Sequence, residues 1–231
     1  FALFKDELLR EWSNYRDERP YSQTYGALGY LLLSSRWPPE ALTAALESRT
    51  LADLERWRAE RLSRFNALAL HHGNVDGRDA SSLADLLASA LPLADFPRAD
   101  PQVKTIQEAL RYQIPIEHQD ASMVVYLQDP DGSIEARATS ALTARILRQA
   151  YFTSLRTEQQ LGYVVSVTNS TIRDRSGLAF IVQSPVASPA TLEALTRDFL
   201  REQLNTLAEM SEDEFQRFQN GLVVQLTERA R

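Results

Sequence analysis

The sequence predicts an α+β fold in which helices pack on mostly antiparallel sheets. Apolar residues recur at helical spacing in several long segments, and two β-rich segments flank a polar turn at 173–176. Hydrophobic residues make up 44% of the chain and charged residues 24%, which are ordinary values for a globular protein. The 231 residues have room for one large domain or two small ones.

The first part of the chain is predicted to be mainly helical. Pro20 ends or redirects the first helix, because proline lacks the backbone donor that a helix interior needs. Thr50 and Asp53 form a near capping box at the start of a later helix. The predicted elements are helices at 1–15, 21–33, 40–46, 50–64 and 79–91, and a strand at 65–71. The strand stops at Gly73-Asn74, where we expect a left-handed or turn conformation.

A change of composition in the middle of the chain predicts a domain boundary. Four prolines fall between residues 92 and 115, in a stretch with weak periodicity. We therefore expect one domain at 1–92, an inter-domain linker at 93–120 and a second domain at 121–231.

The second domain is predicted to alternate strands and helices. Ser211 and Glu214 have the spacing of a full capping box, and Pro189 suits the first turn of a helix. The predicted elements are strands at 122–128, 162–171 and 177–184, and helices at 133–155, at 189–207 and from 211 onward. The last two strands form a hairpin.

Charge and hydropathy exclude several classes of partner. The net charge of −6 disfavours a nucleic-acid binder, and the arginines of 56–64 alternate with glutamates as on a solvated helix face. No apolar run approaches the ~20 residues that a membrane span needs. The chain has no cysteine, so disulfides and thiolate zinc sites are excluded.

The residues that would catalyse hydrolysis are not recognisable in this chain. The histidines are His71, His72 and His118, and the first two are adjacent, so on a strand they would point to opposite faces. A zinc hydrolase instead places two histidines one helical turn apart beside a glutamate. The sequence also lacks a G-x-S-x-G nucleophile and a phosphate-binding loop. We therefore predict no catalytic residue and no metal ligand in this chain.

The most informative segment is 155–165, LRTEQQLGYVV, which joins an apolar helix to an apolar strand. The guanidinium of Arg156 and the phenol of Tyr163 are both hydrogen-bond donors suited to a carbonyl. Taken alone, the residues also fit structural roles, with Arg156 on the last carbonyls of the helix and Tyr163 as an ordinary strand aromatic.

Segment 155–165 resembles the hallmark of the pitrilysin/insulinase family of zinc peptidases, in the half of those proteins that does not hold the zinc. Further segments resemble the family in the same order along nearly the whole chain. They are 19–21, Trp37, 51–62, 72–74, 177–184, 199–200 and 210–215. The resemblance implies that 1–92 is the later part of the third family domain and 121–231 the first part of the fourth, both from α/β sandwiches. Because the chain begins at Phe1 and stops within a predicted helix, we expect a fragment.

The resemblance also implies roles for individual residues. Arg156 and Tyr163 would bind substrate and polarise the scissile carbonyl, and Gly162 would permit close approach of a substrate backbone. We expect Glu158 and Gln160 to be surface groups, or groups that lie behind these two residues, rather than substrate contacts.

At the level of function, the resemblance implies a substrate-binding and chamber-forming region that is inactive alone. Zinc and the catalytic glutamate would come from the N-terminal half of the same protein, and the substrate would be a peptide. One alternative is an inactive partner subunit or scaffold of a heterodimeric peptidase. Another is a peptidase of pyrroloquinoline quinone biosynthesis. The compartment stays open, with a periplasmic or secreted location favoured.

Overall fold

The computed structural model describes residues 1–97 and 100–228. Residues 98–99, in the predicted linker, and 229–231, in the predicted second domain, lie outside the described residues. The elements in chain order are α1 (Ala2–Asn14), a 3-10 turn (Tyr15–Asp17), α2 (Pro20–Leu32), α3 (Pro39–Glu47), α4 (Leu51–Arg61), α5 (Gly77–Ala90), β1 (Ala121–Gln128), α6 (Ile134–Phe152), a π-helical turn (Thr153–Glu158), β2 (Val164–Asn169), β3 (Gly177–Ser184), α7 (Pro189–Ala208) and α8 (Glu212–Thr227).

These elements form two compact units. The first comprises residues 1–10 and 40–100, and the second comprises 11–39 and 101–231. The segment 11–39, which contains α2, thus packs with the C-terminal part of the chain. The assignment of 1–92 and 121–231 to two family domains joined at 93–120 stays a prediction.

The helices of the first unit are set by local capping. The Thr50 hydroxyl accepts a hydrogen bond from the Asp53 backbone, and the Asp53 carboxylate accepts one from the Thr50 backbone, so the predicted near box is complete. Asp76 and Asp79 form a second capping box at the start of α5. The hydrogen bonds to Thr50 hold the pKa of the Asp53 carboxyl below its usual value.

The predicted strand at 65–71 is wrong. Only Phe65 is bridged, to Leu93, and Leu68 and Leu70 are 92% and 91% exposed. An apolar segment becomes a strand only when a neighbouring strand pairs with its backbone groups, and no strand of the described residues lies beside this one. His71 and His72 consequently do not sit at a strand end. Gly73 has φ of 142°, in agreement with the expected turn.

The second unit is built on a three-stranded antiparallel sheet of order β1-β3-β2. Its core is Tyr151 of α6, whose ring meets Phe180 of β3 and Phe199 of α7 edge to face, at centroid distances of 5.3 and 5.0 Å. The Tyr151 hydroxyl is 2.7 Å from the Thr196 hydroxyl, and burial raises the Tyr151 pKa. This core fixes α6, and with it the segment that follows.

Two other details of the second unit differ from prediction. The helix predicted at 133–155 ends at Phe152 and continues as the π-helical turn. At α8, the Ser211 hydroxyl accepts from the Glu214 backbone, but the reciprocal bond of a full capping box is not formed among the described residues. No described helix is both long and apolar enough to cross a membrane.

Candidate functional site

The segment after α6 is folded into a tight loop by two buried leucines. Leu155 and Leu161 both lie in the core, and the Leu161 N–H donates to the Leu155 carbonyl over 3.0 Å. Leu155 lies within the π-helical turn Thr153–Glu158, and Gln160, just before Leu161, takes a left-handed φ of 54°. The loop therefore returns the chain on itself and brings Arg156 beside Tyr163.

Arg156 is held by a contact within this segment. Its Nη1 donates to the Tyr163 backbone carbonyl over 2.7 Å, and its guanidinium lies 5.0 Å from the centre of the Phe152 ring. That hydrogen bond goes across the loop rather than to a helix-terminal carbonyl. Because the side chain is exposed and a guanidinium carries five N–H donors, donors remain for a ligand.

Tyr163 is half exposed, at 51%, and its hydroxyl is fixed by a buried amide. Gln183 Nε2 donates to the Tyr163 hydroxyl oxygen and to Asp120 Oδ2, each over 2.7 Å. Gln183 Oε1 accepts in turn from the Tyr21 N–H at 3.1 Å. The phenol oxygen thus receives a hydrogen bond, and its own hydrogen has only a weak intramolecular acceptor, Asp120 Oδ2 at 3.5 Å.

Sequence reasoning missed Gln183 and Asp120 as members of this site. A signal for Gln183 was available, since it is an amide at the end of the apolar run 178–182, and a buried amide requires partners. Gln183 is completely buried. Asp120 carries no comparable signal, because an aspartate before a strand is common in turns. Its backbone N–H donates to His118 Nδ1 over 2.9 Å, so His118 also lies at this end of β1.

Gly162 is needed for contact within the chain. A Cβ at this position would overlap the carbonyl oxygen of Gln183. The backbone of β3 thus comes as close to Gly162 as only a glycine allows. The need for glycine at this position therefore has a cause within the chain, and the approach of a substrate backbone stays a prediction.

The described residues do not suit a zinc ion. No group of three or more His, Cys, Asp or Glu side chains is placed to hold a metal within residues 1–97 and 100–228. Arg156 and Tyr163 instead form a pair of hydrogen-bond donors, and such a pair can orient a carbonyl or carboxylate.

Comparisons with known proteins relate the chain to large peptidases. A family model described as PQQ synthase PqqF-like, C-terminal lobe domain 4, matches residues 142–231. Human insulin-degrading enzyme is 26% identical over 238 aligned residues, which cover 97% of this chain and 23% of the relative. Coenzyme PQQ synthesis protein F of Klebsiella pneumoniae is 36% identical over 107 residues, 46% of this chain and 13% of the relative.

Solved structures show the same fold. A crystal structure of pitrilysin has a TM-score of 0.84 with 20% identity, covering 98% of this chain and 24% of that one. A peptidase M16 inactive domain from Pseudomonas fluorescens has a TM-score of 0.60 with 19% identity, covering 99% of this chain and 56% of that one. The chain spans about a quarter of the length of the full-length relatives. The predicted α+β class is confirmed.

Proposed function

We propose that this chain binds substrate and forms a chamber wall in a zinc-dependent endopeptidase of the pitrilysin/insulinase family, as part of the C-terminal half that does not hold the zinc. The similarity to a PqqF-like C-terminal domain, to insulin-degrading enzyme and to the fold of pitrilysin supports this proposal. The whole protein would hydrolyse peptides, with zinc and the catalytic glutamate in an N-terminal half. The observation that supports this most is the exposed Arg156–Tyr163 pair, held by the Leu155–Leu161 loop.

The geometry of the pair suits a peptide carbonyl. Gln183 donates to the Tyr163 oxygen, so the phenol hydrogen can point outward to an acceptor on the substrate. Arg156 uses Nη1 on the Tyr163 carbonyl and keeps its other N–H groups for the same substrate. Fixed donors aimed at a developing oxyanion contribute about 3 kcal/mol each to transition-state stabilisation.

The test uses a quenched fluorescent peptide with this chain alone, the N-terminal half alone, and the two mixed. We expect hydrolysis only in the mixture, and a loss of roughly 100-fold in kcat/KM for Arg156→Ala or Tyr163→Phe. Arg137→Ala, at an exposed arginine of α6 away from the loop, is the matched control and should keep full activity. Equal activity of the N-terminal half alone, or no effect of either substitution, would contradict the proposal.

A second candidate is a peptidase of pyrroloquinoline quinone biosynthesis. The family model over residues 142–231 and the 36% identity to the Klebsiella pneumoniae protein favour it. The test is rescue of cofactor production in a strain that lacks that protein, using the whole protein to which this chain belongs. Rescue with wild type but not with the Arg156→Ala variant would support this candidate, and failure of the wild type would contradict it.

We also propose a periplasmic or secreted location for the whole protein. Cell fractionation tests it, and recovery in the cytosolic fraction would contradict it.

A further inference from the structure

Segment 19–21 forms the start of α2, and one of its backbone groups reaches across to β3. Pro20 is completely buried and has no N–H, so the Tyr21 N–H is the first donor of the helix. Such a donor has no carbonyl partner inside its own helix, and the side chain before Pro20 does not cap it. It donates instead to Gln183 Oε1, at 3.1 Å, in the central strand of the sheet. The start of α2 is therefore bonded to a side chain of the candidate site.

A second buried amide holds the start of α2 in place. Gln23 is 4% exposed, and its Nε2 donates to the carbonyls of Arg16 and Glu18 at 3.0 and 2.7 Å. Both carbonyls lie just before α2, so the first turn of the helix is tied to the chain that leads into it. These bonds fix the direction in which the Tyr21 N–H points.

The neighbours of the Gln183 side chain allow one orientation of its amide. The backbone N–H of Tyr21 can only donate a hydrogen bond, and a carboxylate such as Asp120 can only accept one. Oε1 therefore faces Tyr21, and Nε2 faces Asp120 Oδ2 at 2.7 Å. A reversed amide would place two donors together at Tyr21 and two acceptors together at Asp120. Because Gln183 is completely buried, water would not compensate for those lost bonds.

The orientation of this amide decides what the Tyr163 phenol can do. The second hydrogen of Gln183 Nε2 goes to the Tyr163 hydroxyl oxygen, at 2.7 Å. If the amide were reversed, its oxygen would lie there instead, and the phenol would donate inward to it. The Tyr21 N–H thus determines, through Gln183, whether the phenol hydrogen is available to another molecule.

We propose that segment 19–21 belongs to the candidate site as a positioning element, in which the Tyr21 N–H acts through Gln183 to make the Tyr163 phenol an outward donor. Tyr21 and Gln183 are positioning residues, since each acts through Tyr163 and neither is assigned a contact with substrate. The benefit to substrate binding and hydrolysis rests on the proposed function. The orientation of the amide does not depend on it.

The orientation is tested by NMR of the Gln183 side-chain amide in this chain alone. We expect two separate and slowly exchanging N–H resonances, because each hydrogen has its own acceptor. Tyr163→Phe removes one acceptor and should shift one resonance far more than the other. An amide that exchanges as fast as that of the exposed Gln107 would refute the proposal.

The role of the Tyr21 N–H is tested by removing that group alone. The hydroxy-acid analogue of tyrosine at position 21 replaces the N–H with an ester oxygen and keeps the side chain. The Gln183 amide should then exchange about tenfold faster, because exchange follows local opening. The matched control is the same analogue at Tyr25, inside α2, where it removes an ordinary helical hydrogen bond. Equal acceleration by both analogues would mean that α2 only supports the fold, and the proposal would be wrong.

The consequence for activity is tested with the two halves mixed. The ester at Tyr21 should lower kcat/KM about tenfold in the wild-type background and cause no further loss in Tyr163→Phe, because it acts through the phenol. A purely structural role would give the same loss in both backgrounds, and that result would contradict the proposal.

An ordinary substitution gives a second test of the same step. Gln183→Glu keeps the shape of the side chain but presents oxygen to both Tyr21 and Tyr163, so the phenol should turn inward. We expect a loss in kcat/KM near that of Tyr163→Phe, roughly 100-fold, with no further loss when the two are combined. Gln107→Glu, at an exposed glutamine, is the control and should keep full activity. Full activity of Gln183→Glu would exclude the role of the amide.

The two proposals fail separately. The NMR measurements need neither hydrolysis nor an N-terminal half, so a failed activity test of Tyr163→Phe would leave the orientation of Gln183 standing. A mobile Gln183 amide would refute the positioning role, and it would leave the effect of Tyr163→Phe on hydrolysis to be judged by itself.

Discussion

The two units of this chain are stabilised by different means. In the second unit the side chains of α6, α7 and β3 meet in a core where Tyr151, Phe180 and Leu155 are completely buried. The first unit has no buried residue among those described, which are 1–10, 40–97 and 100. Its helices α4 and α5 instead begin with complete capping boxes. The comparison shows that local hydrogen bonds can define helices where little apolar surface is buried. Within residues 1–97 and 100–228, by contrast, the three strands all lie in the unit that has a core.

The largest loss of stability is expected from a substitution in the core of the second unit. Phe180→Ala should lower the free energy of unfolding by about 3–5 kcal/mol, because it removes a fully buried ring that Tyr151 packs against. Urea denaturation measures it. Leu68→Ala, at a 92% exposed position of the first unit, is the control and should stay within about 0.5 kcal/mol. Similar losses for the two variants would contradict the contrast between the units.

A smaller loss of stability is expected at Gly162, where the backbone of the loop lies against the backbone of β3. Gly162→Ala should cost about 1–3 kcal/mol, because its Cβ would overlap the Gln183 carbonyl and must push the loop away from β3. Thermal unfolding measures the loss. Gly77→Ala, in the first unit, meets no heavy atom within 4 Å and should be nearly neutral. A neutral Gly162→Ala would show that the loop is not held by this contact.

Alkaline pH should affect the second unit through a tyrosine. Burial raises the pKa of Tyr126 to about 12 from 10.0, with a further contribution from Tyr25. A raised pKa adds stability that is complete below pH 10 and is lost as the pH rises toward 12. The loss should be on the order of 1 to 2 kcal/mol after a discount for partial exposure. Tyr126→Phe should flatten the pH dependence of urea midpoints in this window, and an unchanged slope would contradict the assignment.

The smallest loss of stability is expected at the start of α4, in the first unit. Thr50→Ala should destabilise α4 by about 1 kcal/mol, since it leaves the Asp53 N–H without its acceptor. Amide exchange within α4 measures this locally, and Thr50→Ser is the matched control that keeps the hydroxyl. Equal protection of α4 in all three proteins would mean that packing, not capping, holds the helix.

The predictable parts of the fold are those whose signals lie close together in the chain. The helices and the β2–β3 hairpin follow from periodicity, capping residues and a polar turn. The segment 65–71 is as apolar as a strand but is bridged only at Phe65, and pairing with another strand is not a local property. The π-helical turn was missed because the apolar spacing of the segment does not show where the hydrogen bonds widen, as in the bond from the Gln159 N–H to the Ser154 carbonyl.

The candidate site was predictable only in its exposed members. Arg156 and Tyr163 stand in one short segment and belong to the family resemblance. The amide that positions Tyr163 does not: Gln183 lies 20 residues later, and it binds the backbone of Tyr21 at a separation of 162 residues. Such contacts come from the packing of α2 against the sheet, which residue pattern alone does not specify.

The π-helical turn Thr153–Glu158 gives this segment an unusual sensitivity to length. A wide turn accommodates one residue more than an α-helical turn, and each residue of an α-helix turns the side chains by about 100°. Deleting one residue there would let the helix run on regularly while rotating Arg156 away from the Tyr163 carbonyl. Substitutions on the exposed face of the turn would leave the direction of the Arg156 side chain unchanged. In evolutionary terms, insertions and deletions, rather than substitutions, are the mutations that can change the direction of the Arg156 side chain.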